Sequence, residues 1–205
     1  MANRSYLFAT NSYNAPSEGY VATGMSEFAY QVHPLYELMV SQDAIIANSQ
    51  LWDRQNISIV GDLAKGKQLV IDFLHMLYAL DENFQTEDFK EFITETIDFL
   101  GKRNEKYALL EAGEIYELED DELEVMNQTY FESAKENAAE IMRLLEKHKN
   151  EQLTAEELSS SSFYDDFVEI STEYGEWEID EIDWVDFWST ILYFSLDGEE
   201  DEEDE

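Results

Sequence analysis

The sequence predicts a mainly α-helical fold with a few short strands, an α+β arrangement remaining open, and an acidic C-terminal tail. Three observations lead there. Hydrophobic residues make up 44% of the 205 and aromatics 14%, too much apolar side chain for a disordered acidic chain, so a folded body is required. Residues 62–80 and 121–148 repeat apolar side chains three and four apart, the period of a helix with a buried face. The acids, finally, gather towards the C-terminus.

In chain order, residues 5–10 (Ser-Tyr-Leu-Phe-Ala-Thr) read as a strand, and the Asn, Pro and Gly of 11–19 as a loop. Pro34 after His33 marks the first position of a helix reaching about residue 41. Residues 45–55 are ambiguous, with a helical reading running through Leu51 and Trp52. Over 62–80, Leu63, Val70, Phe73, Leu74, Leu77 and Leu80 keep the helical period. Ile71, Met76 and Tyr78 fill other sides, so this helix is expected to be central and buried nearly all round. Thr86 caps the next helix, with Phe89, Phe92, Ile93, Ile97 and Leu100 inward and Glu91, Glu95, Asp98 and Lys102 outward. Residues 107–118, broken by Gly113, suit either a hairpin or a loop between helices. The helix over 121–148 has one apolar face, from Leu123, Met126 and Tyr130 through Ala134 and Ala138 to Ile141 and Leu145. Glu132, Glu136, Glu140 and Arg143 lie opposite, and Lys147 and Lys149 sit where the helix dipole favours cations.

This organisation divides the chain into a helical body (1–149), a polar linker (150–162), an acidic aromatic segment packing on the body (163–196) and a disordered acidic tail (197–205). Asp183 is positioned to cap a last helix carrying Trp184, Trp188, Ile191 and Leu192. No internal repeat is visible.

The formal net charge is −36, and it is unevenly placed. Residues 1–60 hold 5 acids and 2 bases, residues 61–149 hold 22 and 10, and residues 150–205 hold 21 acids and no Lys or Arg. Such charge repels nucleic acid and anionic membrane and draws in basic proteins over long range. The expected partner is therefore a basic protein, with neither direct nucleic-acid binding nor membrane association. Residues 1–6 lack the apolar core of a secretory signal, and no run of about 18 apolar residues is present. A soluble, cytoplasmic protein is expected.

Signals for chemistry are sparse. Without cysteine there is no thiolate metal site and no thiol nucleophile. Asp72 and His75 stand three apart on one helix face, but a di-iron bundle uses paired Glu-x-x-His elements. A core histidine bonded to its neighbour is the plainer reading. His33 borders a helix start and His148 a helix end. Neither Asp120-Asp121-Glu122 nor Asp180-Glu181-Ile182-Asp183 has calcium-loop spacing, and Gly61-Asp62-Leu63-Ala64-Lys65-Gly66-Lys67 lacks that of a phosphate loop. No cofactor, metal or catalytic residue is expected.

The remaining signal is the block 163–194, with ten aromatics among its acids. Its rings either complete the core or anchor a partner, and the two readings are compatible. Interfaces draw affinity from desolvated aromatic anchors and association rate from rim charge. On that reading Trp177, Trp184 and Trp188 are the anchors, surrounded by Asp165, Asp166, Glu178, Asp180, Asp183 and Asp186. The expected function is binding and occlusion of a basic partner, as an immunity protein or antitoxin against a cationic toxin such as a nuclease, or as a DNA mimic. The rivals are an enzyme using carboxylates or the Asp72–His75 pair, and an acidic adaptor or chaperone for basic clients.

Two pieces carry a resemblance. Met1-Ala2-Asn3-Arg4-Ser5-Tyr6-Leu7-Phe8, and Leu109-Leu110-Glu111-Ala112-Gly113-Glu114-Ile115-Tyr116 before a long helix, are similar to an uncharacterised group of acidic bacterial proteins. The resemblance implies a bacterial cytoplasmic origin and carries no activity and no site residues.

Overall fold

Five strands form one antiparallel sheet in the order β2-β1-β5-β4-β3, built from β1 (Arg4–Thr10), β2 (Ala22–Ala29), β3 (Ile45–Ala47), β4 (Ser58–Asp62) and β5 (Tyr107–Glu111). The structure, a computed structural model, describes residues 3–13, 21–52, 55–171 and 187–196. Its helices are α1 (Pro34–Val40), α2 (Leu63–Leu80), α3 (Glu87–Gly101), α4 (Gly113–Tyr116), α5 (Leu123–Lys149), α6 (Ala155–Leu158) and α7 (Ser162–Ser171). This is an α+β fold. The helical content follows the sequence pattern, but the sheet is larger than a few stray strands.

Strand period 2 divides the sheet's side chains between two cores. Leu7, Ala9, Ile59, Ala108 and Leu110 face the helices and join the main core with Phe73, Leu74 and Leu77 of α2. Tyr6, Phe8, Val60 and Leu109 face the other way, into a smaller cluster with Trp52, Leu192 and Phe194. Both faces are thus covered. Every residue of β1 from Ser5 to Thr10 is buried.

Several elements follow the sequence reading closely. Pro34 opens α1, and the His33 ring accepts the Leu35 N–H at 3.1 Å as its cap. Thr86 caps α3 through the Phe89 N–H, and α2 begins one residue later than read, with Asp62 as its cap through the Lys65 N–H. Others differ. Residues 45–47 are a strand, not a helix, because Ile45 and Ile46 pair with Val60 and Ile59. Strands β2 and β4 carried too little alternation to stand out. Residues 107–118 give neither a hairpin nor a simple loop: β5 fills the centre of the sheet and Gly113 begins a one-turn helix. On α3 the inward step runs 89, 92, 93, 96, 100. Thr96 is therefore buried, while Ile97, expected inward, sits at the exposed edge. Helix α2 is not buried all round, since Lys65, Gln68 and His75 are exposed. Residues 150–162, read as a polar linker, bury Leu153 and Leu158 and form α6.

Over 187–196 the expected helix through Trp188, Ile191 and Leu192 does not form. Residues 187–196 instead run along the edge strand β2 as an extended strap. Ser189 donates its N–H to the Met25 carbonyl (2.9 Å), and the Ala22 N–H reaches the Leu196 carbonyl (3.1 Å). Gly24 makes room, since a Cβ there would lie 2.9 Å from the Thr190 carbonyl oxygen. The edge's hydrogen-bonding groups outweigh the helical period of a ten-residue stretch. Trp188 pins the strap, stacking on Phe99 at 5.7 Å and donating from Nε1 to Thr96 Oγ1 at 2.8 Å. Replacing Trp188 by alanine is expected to cost about 2–3 kcal/mol. It should also speed hydrogen exchange of the Ala22 amide; unchanged exchange would mean the tryptophan does not hold the strap.

Candidate functional site

Helix α7 sorts its residues by face. Phe163, Tyr164 and Phe167 turn inward, with Phe163 and Phe167 edge-on to Phe73 at 5.1 and 5.3 Å. The Tyr164 hydroxyl donates to the Asp81 carboxylate, which ties α7 to the end of α2. Asp165, Asp166 and Glu169 are left on the solvent side. The described aromatics of the acidic block are therefore chiefly core, and the acids between them make the outer surface. Of the residues expected to hold a partner, Asp165 and Asp166 stand on this face. Trp188 is half-buried in the strap. Trp177, Trp184, Glu178, Asp180, Asp183 and Asp186 lie outside the described residues, as does the expected tail, 197–205.

Asp166 borders a groove of about 250 Å³ between α1, α5 and α7. At its base is Glu37, inside the wholly buried α1. Pro34, Leu35, Leu38, Met39 and Val40 give that helix its place in the core, and the carboxylate comes with them. Glu37 Oε2 accepts hydrogen bonds from Asn137 Nδ2 (2.7 Å) and Ser133 Oγ (3.0 Å) of α5. Burial pushes its carboxyl up to about 7, against which the two hydrogen bonds act, and Asp166 adds like charge. Asp166 is itself raised, first by partial burial and then by Glu169 and Asp165. Tyr130 lines the same groove and stacks on Tyr116 at 5.4 Å. The sequence reading missed Glu37. A lone acid within Pro-Leu-Tyr-Glu-Leu-Met-Val was the available signal, because carboxylates are seldom buried without a purpose or a partner.

A second buried acid has a structural task. Glu111 of β5 accepts the Gln50 N–H and the Ser58 hydroxyl, each at 2.7 Å. Burial raises its carboxyl to about 7. It fixes the turn before β4 and has no groove in front of it among those described.

Asp72 and His75 do not form a site. His75 is exposed, which corrects its reading as a core histidine, and Asp72 accepts a hydrogen bond from Gln68 at 2.8 Å. Asp72 borders a wider groove of about 440 Å³ between α2 and α5, floored by Leu69 and Leu145 and rimmed by Lys65 and Lys149. Both lysines are already near acids, Asp43 and Asp72. Among the described residues no three His, Asp or Glu converge to hold a metal ion.

Charge is separated along the molecule. Lys67 donates to the Leu100 and Arg103 carbonyls, and the Lys106 carbonyl accepts the Leu63 N–H, which brings the end of α3 to the start of α2. Lys149, at the end of α5, lies 3.9 Å from Asp72. Eight of the twelve bases, Lys65, Lys67, Lys102, Arg103, Lys106, Arg143, Lys147 and Lys149, lie in the first two turns of α2, at or just after the end of α3 and in the last two turns of α5, where Lys65, Lys149, Arg143 and Lys147 pair with Asp43, Asp72 and Glu157. The far end of α5 is about 40 Å away at 1.5 Å per residue. There Glu117, Glu119, Asp120, Asp121, Glu122 and Glu124 are all exposed, and none pairs with a base among the described residues.

In comparison with known proteins, a family model described as a domain of unknown function (DUF7822) fits residues 11–151. No curated protein and no solved structure matches the chain. Among the described residues no helix is long and apolar enough to cross a membrane.

Proposed function

We propose, for a chain that belongs to the family of the domain of unknown function DUF7822, that its work is stoichiometric binding of a basic protein. One observation carries this reading: the separation of charge along α5. Near one end of the helix bases and carboxylates balance, Arg143 and Lys147 pairing with Glu157 and Lys149 with Asp72, while at the other the carboxylates are without bases among the described residues, so the molecule has a field that orients a cationic partner before contact. The acidic turn at 117–124 and the outer side of α7 are the surfaces that meet it. With the described rings of α7 committed to the core, its outer side offers charge more than aromatic anchors.

The finer reading follows from the same field. A cationic toxin such as a nuclease, or a DNA-binding protein, exposes a basic working surface, and an acidic body seated there blocks it by occlusion. Immunity protein, antitoxin and DNA mimic are three names for that one physical act. Acidic adaptor proteins share the charge but not the stoichiometry.

The test uses the intact protein and a form truncated after Leu196 as bait for proteins of the host, eluted with a salt gradient. The expected result is one basic protein retained near equal stoichiometry by both forms through moderate salt. Many basic proteins leaving together at low salt would instead mark unspecific attraction, and the occlusion reading would fall.

A further inference from the structure

We infer that the groove between α1, α5 and α7 is a socket for one organic cation, the guanidinium or ammonium end of an Arg or Lys side chain presented by the basic partner. This rests on the binding function proposed above and names the feature it would recognise.

The first support is Glu37 itself. Its side chain belongs to a residue only 8% exposed, yet it lines the groove. Asn137 and Ser133 hold Oε2, and Oε1 accepts no hydrogen bond from any described residue. That oxygen opens to the groove and is not among the buried polar atoms left without a partner, so it is free to take a donor that enters the groove, while the burial of the rest of the carboxylate makes its charge costly unless it is protonated or met by a cation. A cationic side chain supplies both charge and donor, and such charge-assisted bonds are roughly twice as strong as neutral ones.

The rim gives the second support. Asp166 and Glu169 of α7 border the same opening, and neither Glu37 nor Asp166 pairs with a base among the described residues. Tyr130 adds a ring whose companion, Tyr116, stacks on it. Aromatic faces beside carboxylates suit guanidinium in particular.

Size decides between ligand classes. Clefts for small molecules run about 300–1,000 Å³. This groove, at about 250 Å³, falls below that range and suits one long side chain. A bare metal ion is disfavoured for another reason: among the described residues no three carboxylates converge closely enough to ligate it. A larger cation can reach across the gap between them.

The test is an NMR titration of the full-length ¹⁵N-labelled protein with N-acetyl-arginine amide and, separately, N-acetyl-lysine amide at pH 8. Amides of Glu37, Tyr130, Asn137 and Asp166 are expected to shift, with either head group sufficing. Glu37→Gln should weaken binding about tenfold, the equivalent of one charge-assisted bond. Asp166→Asn, an exposed change with no packing cost, should weaken it less, and Glu91→Gln on the outer side of α3 should leave it unchanged. At pH 6 the native protein should bind more weakly, because Glu37 takes up a proton there. The groups facing it are Asp166 and Glu169 from α7 and the Tyr130 and Tyr116 hydroxyls. His33, at the start of α1, is kept neutral by burial. Glu37→Gln should lose this pH dependence. Shifts spread evenly over the acidic surface, or indifferent to both Glu37→Gln and Asp166→Asn, would overturn the socket and leave the wider binding function standing. Local, Glu37-dependent shifts with no basic protein retained in the salt-gradient experiment would keep the socket, assign it to a free organic cation, and end the basic-protein reading.

Discussion

Glu37→Gln is expected to make the protein more stable than the native chain at pH 8 and to match it at pH 5. In the folded protein the carboxyl is raised from 4.5 to about 7 by burial. A raised group contributes stability that is fully present below its unfolded value and is lost as pH rises through its folded one. The native protein therefore loses that contribution between about pH 5 and pH 8, while glutamine, uncharged throughout, does not. The gap corresponds to about 3 kcal/mol at most, and groove water reduces it. A gain of about 2 kcal/mol, or roughly 4–8 °C in Tm for a chain this size, is expected at pH 8. Glutamine keeps a carbonyl oxygen for Asn137 and Ser133, so the packing is retained. Glu111, also raised to about 7 by burial, steepens the native protein's own decline over the same pH range. Thermal melts of both proteins from pH 5 to pH 8 check the result. A variant less stable by the same amount at every pH would show that hydrogen bonding, not charge, governs the site.

The other large effect concerns two glycines at the end of α1. A Cβ on Gly66 of α2 would lie 2.0 Å from the Met39 carbonyl oxygen, and one on Gly61 of β4 would lie 2.3 Å from that of Val40. Both obstacles are backbone, so no side chain can swing aside. Close approach of α1 is what sets Glu37 at the base of its groove, so these contacts reach from packing to the candidate site. Gly66→Ala should lower stability by about 3 kcal/mol or more, roughly 6–12 °C in Tm. Gly101→Ala is the control. Nothing lies within 4 Å of a Cβ there, and at the end of α3 alanine should be neutral or stabilising by up to about 1 kcal/mol. If the two variants melt alike, the close approach of α1 to α2 is not present in solution.

What the sequence determined by itself was local in origin. Helices α2, α3 and α5 were legible because their apolar faces repeat within one element, and the cap of α3, Thr86, lies beside the helix it starts. His33 and Pro34 announced α1 in the same way. The scale of the charge, and its growth along the chain, needed no structure. Tertiary structure decided whatever depends on residues far apart in sequence. Strand β3 exists because Ile45 and Ile46 find β4. The strap at 187–196 overrides a helical period because β2 offers an unpaired edge. Thr96 turned inward to receive Trp188, and the rings of α7 joined the core because Phe73 and Phe84 were waiting there. Glu37 became a candidate site only when α5 brought Asn137 and Ser133, and α7 brought Asp166, from 96 or more residues away. Periodicity is written in neighbours, whereas an unpaired buried charge is defined by everything that surrounds it.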